Sequence, residues 1–112
     1  MDIEHWRQRL LEEKQELNSL SEDGREARAT VVLDQQGVGR LSRIDAMQQQ
    51  AMAEEAERRR RLRGRQIEAA LRRIDAGEFG YCVNCGDEIP EARLNFDPAS
   101  PICVGCAGAA RR

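Results

Sequence analysis

The sequence predicts a mainly α protein: a long antiparallel helical hairpin, packed as a coiled coil, joined to a small C-terminal module held by four cysteines. Three observations predict it. Proline is absent before Pro90, and Glu, Gln, Arg, Ala and Leu, all good helix formers, dominate residues 1–76. Gly37 and Gly39 interrupt that stretch near its centre. Four cysteines fall late in the chain, as Cys82-Val83-Asn84-Cys85 and Cys103-Val104-Gly105-Cys106.

The first arm carries apolar residues at Ile3, Trp6, Leu10, Leu17 and Leu20, a helical stripe with a gap at 13–14. Ser21-Glu22-Asp23-Gly24 interrupts it, and Asp23 with Glu26 has the spacing of a capping box that restarts a helix. The alternative is a break at Gly24 with a separate short element beyond it. Ala27, Val31, Val32 and Leu33 continue the apolar face. Gly37-Val38-Gly39 is the strongest break, because two close glycines favour a turn. A second helix is predicted from about Leu41 to Asp75, roughly 50 Å long at 1.5 Å per residue.

The arms match each other. Facing residues of an antiparallel hairpin have numbers with a constant total. Ile3 with Ile74, Trp6 with Leu71, Leu10 with Ile67, and Leu33 with Ile44 all share one total, which centres the turn at residues 38–39, within the glycine segment 37–39. The seam is expected to pack as a/d-type layers. Its middle is poorer, since Leu17 and Leu20 would face the charged stretch near 57–60, and loose packing or a kink is expected there. Met47 and Met52 are expected to fill packing gaps, and His5 to lie on the surface.

The cysteines point to zinc. Two Cys-x-x-Cys pairs separated by residues 86–102 have the spacing of a four-cysteine site. One tight turn delivers two thiolates to one metal, and zinc takes four at tetrahedral corners. Gly86 and Gly105 sit where the backbone must bend. Four protein ligands, Cys82, Cys85, Cys103 and Cys106, close the site, which argues for a structural Zn2+ and against hydrolytic chemistry. Disulfides are the weaker reading. The N-terminus shows no basic n-region or apolar h-region, so a reducing cytoplasm is expected.

Composition sets bounds. Of 112 residues, 34% are charged and 4% aromatic, too polar for a large core. Phe79, Tyr81 and Phe96 surround the cysteines, where zinc is expected to replace core area a small unit cannot supply. The net charge of −2 gives no global basic field for nucleic acid, and no apolar run is long enough to span a membrane. Arg58-Arg59-Arg60-Arg61, with Arg63 and Arg65, invites a nucleic-acid reading. However, Glu54, Glu55 and Glu57 stand four residues before Arg58, Arg59 and Arg61, the favourable order for ion pairs on a helix surface. Asp97-Pro98-Ala99-Ser100-Pro101 reads as a loop. No nucleophile–base pair, phosphate loop or open metal site suggests an enzyme.

The stretch Gly77-Glu78-Phe79-Gly80-Tyr81-Cys82-Val83-Asn84-Cys85-Gly86, then Ile89-Pro90, Arg93-Leu94, Pro101 and Cys103-Val104-Gly105-Cys106, resembles the C4-type zinc finger of the DksA/TraR family. The resemblance implies two domains: a coiled-coil hairpin over 1–76, and a zinc finger with a short C-terminal helix over 77–112. It implies a bacterial regulator that binds RNA polymerase rather than specific DNA, in the cytoplasm, as a monomer. In that family the coiled coil enters the secondary channel, sometimes together with guanosine tetraphosphate, and the zinc module with the C-terminal helix grips the rim. Family tips carry Asp-x-x-Asp-x-Ala. Here those acidic positions fall near Gly39 and Ser42, and Arg40 and Arg43 make the tip cationic. The expected tip residues are Val38, Arg40, Ser42, Arg43 and Asp45. Two other readings stay open: a zinc-finger nucleic-acid-binding module using Arg58 to Arg65, and a coiled-coil adaptor.

Overall fold

A computed structural model describes residues 2–28 and 40–110. Among the described residues the helices are α1 (Ile3–Asp23), α2 (Arg25–Arg28), α3 (Arg40–Asp75), α4 (Glu91–Phe96) and α5 (Val104–Ala110). Among the same residues, β structure is an isolated antiparallel bridge between Tyr81 and Glu88. The fold is mainly α with a long helical hairpin. The expected turn at 37–39, with Leu33 and Val38, lies outside the described residues.

Burial along both arms follows a heptad. On α1 and α2 the shielded positions include Ile3, Arg7, Leu10, Lys14, Leu17, Ser21, Gly24 and Arg28. On α3 they include Ala46, Gln50, Ala53, Glu57, Arg60, Gly64, Ile67, Leu71 and Ile74. Steps alternating between three and four residues keep one seam on one helix face. Met47 and Met52 are 59% and 72% exposed, so they do not fill packing gaps. Each is one residue away from a seam position, which turns it about 100° off the seam. Ile44, expected to face Leu33, is 42% exposed.

Packing groups the chain into two compact units, Met1–Gln15 with Gly64–Arg112, and Glu16–Arg63. In the first, Trp6, Leu10, Ile67, Ala70, Ile74, Phe79, Ile89 and Leu94 are buried. Arg7 pairs with Asp75 at 3.2 Å and Lys14 with Glu68 at 3.4 Å. Seven residues forward on α1 match seven backward on α3, so the arms run antiparallel in a single register. Asp2 opens α1 as its cap, its carboxylate accepting from the His5 N–H at 3.3 Å. His5 is exposed, as expected, with its ring edge on Trp6.

The second unit is unlike an apolar coiled coil. Its seam positions include Ser21, Gly24, Arg28, Gln50, Glu57 and Arg60. Glu57 is only 6% exposed. Its carboxylate pairs with Arg28 across the seam at 3.2 Å, and with Arg60 at 3.0 Å and Arg61 at 3.5 Å on its own helix. Gly24 lies beside this cluster: a Cβ there would come 3.0 Å from Arg28 Nη1 and 3.3 Å from Arg60 Nη2. Gly24 separates α1 from the short α2, as the alternative reading has it. Gly24 N–H donates to Leu20 at 3.0 Å and Arg28 N–H to Gly24 at 3.2 Å, so the i→i−4 ladder continues from α1 into α2. Asp23 is the last residue of α1, and the chain needs no new cap there.

Burial pushes the Glu57 carboxyl up, but hydrogen bonds from Ser21 and Arg60 and the charges of Arg28 and Arg60 outweigh it, leaving the group below its ordinary value. A carboxylate depressed by folding contributes stability above its unfolded pKa and loses it as pH falls through the folded one. The second unit should therefore weaken as pH drops below the ordinary carboxylate range. Glu57→Gln should be less stable at neutral pH by about 2 kcal/mol, because Arg28 and Arg60 lose their buried partner. Its loss on acidification should also be shallower. Denaturant melts of both proteins across the acid range check this; parallel pH curves would show that Glu57 is not the titrating group.

Candidate metal centre and hairpin tip

The first knuckle is a tight loop. Cys82 N–H donates to Asp87 at 2.8 Å, Gly86 N–H to Cys82 at 2.9 Å, and Ile89 N–H to Gly80 at 2.7 Å. Gly77, Gly80 and Gly86 have φ of 74°, 91° and 79°, the left-handed region where a Cβ is strained. Gly86 meets its expected role. Gly105 does not, because it lies inside α5. The second knuckle is a helix start: Cys103 precedes α5, its carbonyl accepts from Ala107 N–H at 2.9 Å, and its Sγ accepts from Cys106 N–H at 3.4 Å. Val83 N–H donates to Pro101 at 2.9 Å and draws the two knuckles together.

The four Sγ atoms of Cys82, Cys85, Cys103 and Cys106 lie within 4.8 Å of one another. Cys85 Sγ and Cys103 Sγ are 3.7 Å apart. Thiolates at tetrahedral corners around zinc, with Zn–S of about 2.3 Å, stand roughly 3.8 Å apart. The cluster fits one ion. Burial pushes the Cys82 thiol up, but backbone N–H groups of Cys103, Cys85 and Asn84 outweigh it and bring the pKa to about 6. Cys106 is pushed up to about 12 by hydrogen bonding with Cys103, Cys82 and Cys85. Four thiolates this close need a cation between them, so metal uptake must release protons.

Arginines tie this module to the base of the hairpin. Arg9 on α1 donates to the carbonyls of Leu94 and Asn95 at the end of α4, where unsatisfied carbonyls favour a cation. Arg73 on α3 donates to Ala99 at 3.4 Å, and Arg93 donates to Ile102 at 2.8 Å. The loop they hold is packed: Pro98, Ala99 and Ser100 are buried, and Asp97 Oδ1 accepts from Ala99 N–H at 3.0 Å. None of these roles was legible in the sequence, because a guanidinium that meets a distant carbonyl leaves no local pattern. The three aromatics of the module differ in burial. Phe79 packs toward Trp6 with centroids 6.2 Å apart, whereas Phe96 is 89% exposed and Tyr81 47%.

At the tip end of α3, Arg40 and Ser42 fall in the first turn, and Arg43 and Asp45 are exposed. Val38 lies outside the described residues. The arginine run is largely ion-paired. Arg58 and Arg59 pair with Glu55, and Arg60 and Arg61 with Glu57. The expected Glu55–Arg59 and Glu57–Arg61 pairs are present, while Arg58 turns to Glu55 rather than Glu54.

Residues 77–112 match the model of the prokaryotic DksA/TraR C4-type zinc finger. These residues are similar to a DksA/TraR zinc finger. The site takes one structural zinc. In sequence, the chain is 43% identical over 42 residues to the RNA polymerase-binding transcription factor DksA of Haemophilus influenzae, and 38% identical over 42 residues to that of Escherichia coli K12. These matches cover 38% of this chain in both cases, but only 29% and 28% of the relatives' lengths. In structure, the transcription factor DksA2 from Pseudomonas aeruginosa aligns over 97% of this chain and 82% of its own, with a TM-score of 0.79 and 20% identity. That likeness establishes a shared fold. It covers 97% of the chain, beyond residues 77–112 that match the finger model. Among the described residues, no helix is long and apolar enough to cross a membrane.

Proposed function

We propose that this chain is a transcription regulator that binds bacterial RNA polymerase at its secondary channel, with Cys82, Cys85, Cys103 and Cys106 as the ligands of its zinc. The observation that carries the reading is the pairing of a DksA/TraR finger with a DksA2-like helical hairpin in one chain. A hairpin two helices wide suits insertion into a narrow pore, and the zinc module suits a grip on its rim. Under this reading the protein works in the cytoplasm as a monomer, by binding rather than by catalysis, and guanosine tetraphosphate is a candidate co-effector.

The tip residues Val38, Arg40, Ser42, Arg43 and Asp45 would meet the polymerase interior. Arg40 and Arg43 would be drawn to acidic residues or nucleotide phosphates there. Replacing both with alanine should leave polymerase binding within about twofold, because a few solvated charges contribute little to affinity. The effect on promoter complexes should be lost. Full regulatory activity in the double variant would remove the tip assignment. Binding of nucleic acid through Arg58 to Arg65 is less favoured, because Glu55 and Glu57 already hold four of those guanidiniums. It would require a mobility shift at low salt that fades steeply as salt rises.

A further inference from the structure

Beside the base of the hairpin, within the first unit, lies a cleft of about 710 Å³ lined largely by zinc-module residues. Ile3, Ile74, Phe79, Tyr81, Ile89 and Pro90 supply its apolar lining. Its ionisable lining residues other than Tyr81 are two carboxylates, Glu88 and Glu91, both exposed at the rim. Tyr81, which lines the cleft, and Val83, two residues along the chain, are 47% and 58% exposed, so apolar side chains are also accessible on this stretch. Glycines at two cleft positions, Gly77 and Gly80, hold left-handed φ and add no side chain to the lining.

We propose that this cleft is a docking site for a partner-protein segment that inserts a large apolar side chain flanked by Lys or Arg. An apolar floor gives such a segment its anchor, and the Glu88–Glu91 rim gives it sign selectivity. The rim repels anions, so a nucleotide phosphate does not belong here. A small organic cation would use the cleft but leave Val83 uncovered, whereas a peptide has the length to reach both.

The test uses the zinc-loaded full chain and two synthetic peptides of roughly 12 residues with helical spacing of Leu and Phe anchors. One carries Lys and Arg between the anchors, the other Glu at the same positions. Fluorescence anisotropy gives affinity, and isotope-labelled isoleucine methyls locate the site. The basic peptide should bind at least about tenfold more tightly than the acidic one. It should shift Ile3, Ile74 and Ile89 and leave Ile44 unmoved. Glu88→Lys with Glu91→Lys should reverse the preference while the zinc content stays unchanged. Equal affinity for both peptides, or shifts that avoid the three cleft methyls, would overturn the proposal. So would phenethylammonium binding as tightly as the basic peptide, which assigns the cleft to a small cation. A dimer in sedimentation that the double charge reversal dissolves would assign it to a second copy of this chain. None of these readouts involves polymerase, so the proposal stands or falls apart from the proposed function.

Discussion

Cys103→Ser is expected to release the zinc and unfold the C-terminal module. Structural zinc in small sites carries on the order of 10 kcal/mol of binding free energy, which appears as folding free energy because the unfolded chain holds no preformed site. The substitution is informative because it spares the other role of Cys103. That residue begins α5, with its Sγ accepting from Cys106 N–H, and serine is a good helix cap. A collapse of the module would then report lost metal rather than a lost cap. Zinc per chain should fall from one to zero. The burial of Phe79, Ile89 and Leu94 against the hairpin base should be lost with it, exposing Trp6 to solvent. Trp6 is the single tryptophan, so its fluorescence reports that event directly. A variant that keeps its zinc and an unshifted spectrum would refute the four-cysteine assignment.

Trp6→Ala is expected to have the next largest effect. The ring is 2% exposed, lies 6.2 Å from Phe79, and has the Arg9 guanidinium carbon 5.7 Å from its centroid. Removing a buried tryptophan side chain costs about 3–5 kcal/mol, because the cavity is only partly refilled. Arg9 loses a stacking surface at the same time, and Arg9 ties α1 to the end of α4. The first unit should melt on the order of 10 °C lower, while zinc stoichiometry in the folded protein stays at one. Trp6→Phe should recover most of the loss. A drop below about 1 kcal/mol for the alanine variant would mean that Trp6 is not a core residue of this unit.

The contrast between these sites shows what the sequence made legible. Trp6, Leu10, Ile67 and Ile74 were readable because an apolar heptad on two arms has to face itself, and all four are buried. The cysteine cluster was readable because Cys-x-x-Cys spacing is set by the metal rather than by the fold around it. Glu57 was not. Its spacing from Arg61 marks a solvated ion pair, and that pair is present, yet burial and Arg28 together place the carboxylate in the seam. The deciding partner lies far away in sequence, where no local pattern records it. Arg9, Arg73 and Arg93 were missed for a related reason, since their acceptors are backbone carbonyls that any residue offers. Gly105 was misread as a bend because glycine marks turns in general, whereas here the second knuckle is the start of α5.

A polar seam in the second unit also gives the hairpin a specific register at some cost in stability. Replacing Glu57, Arg28 and Arg60 together by apolar residues of similar volume would remove a desolvated charge cluster along with its attraction, and such replacements are often neutral or stabilising. The cluster instead rewards one alignment of the arms, because a shift of one heptad would separate Arg28 from Glu57 and leave Arg28 without that partner. For a hairpin whose proposed task is to present a tip at a fixed depth, register matters more than added stability.

The measurement that bears most directly on the central claim is binding of the zinc-loaded protein to purified bacterial RNA polymerase, in competition with a known secondary-channel occupant. The account predicts binding without any DNA, displaced in full by the competitor. No binding, or binding that the competitor leaves unchanged, would contradict it.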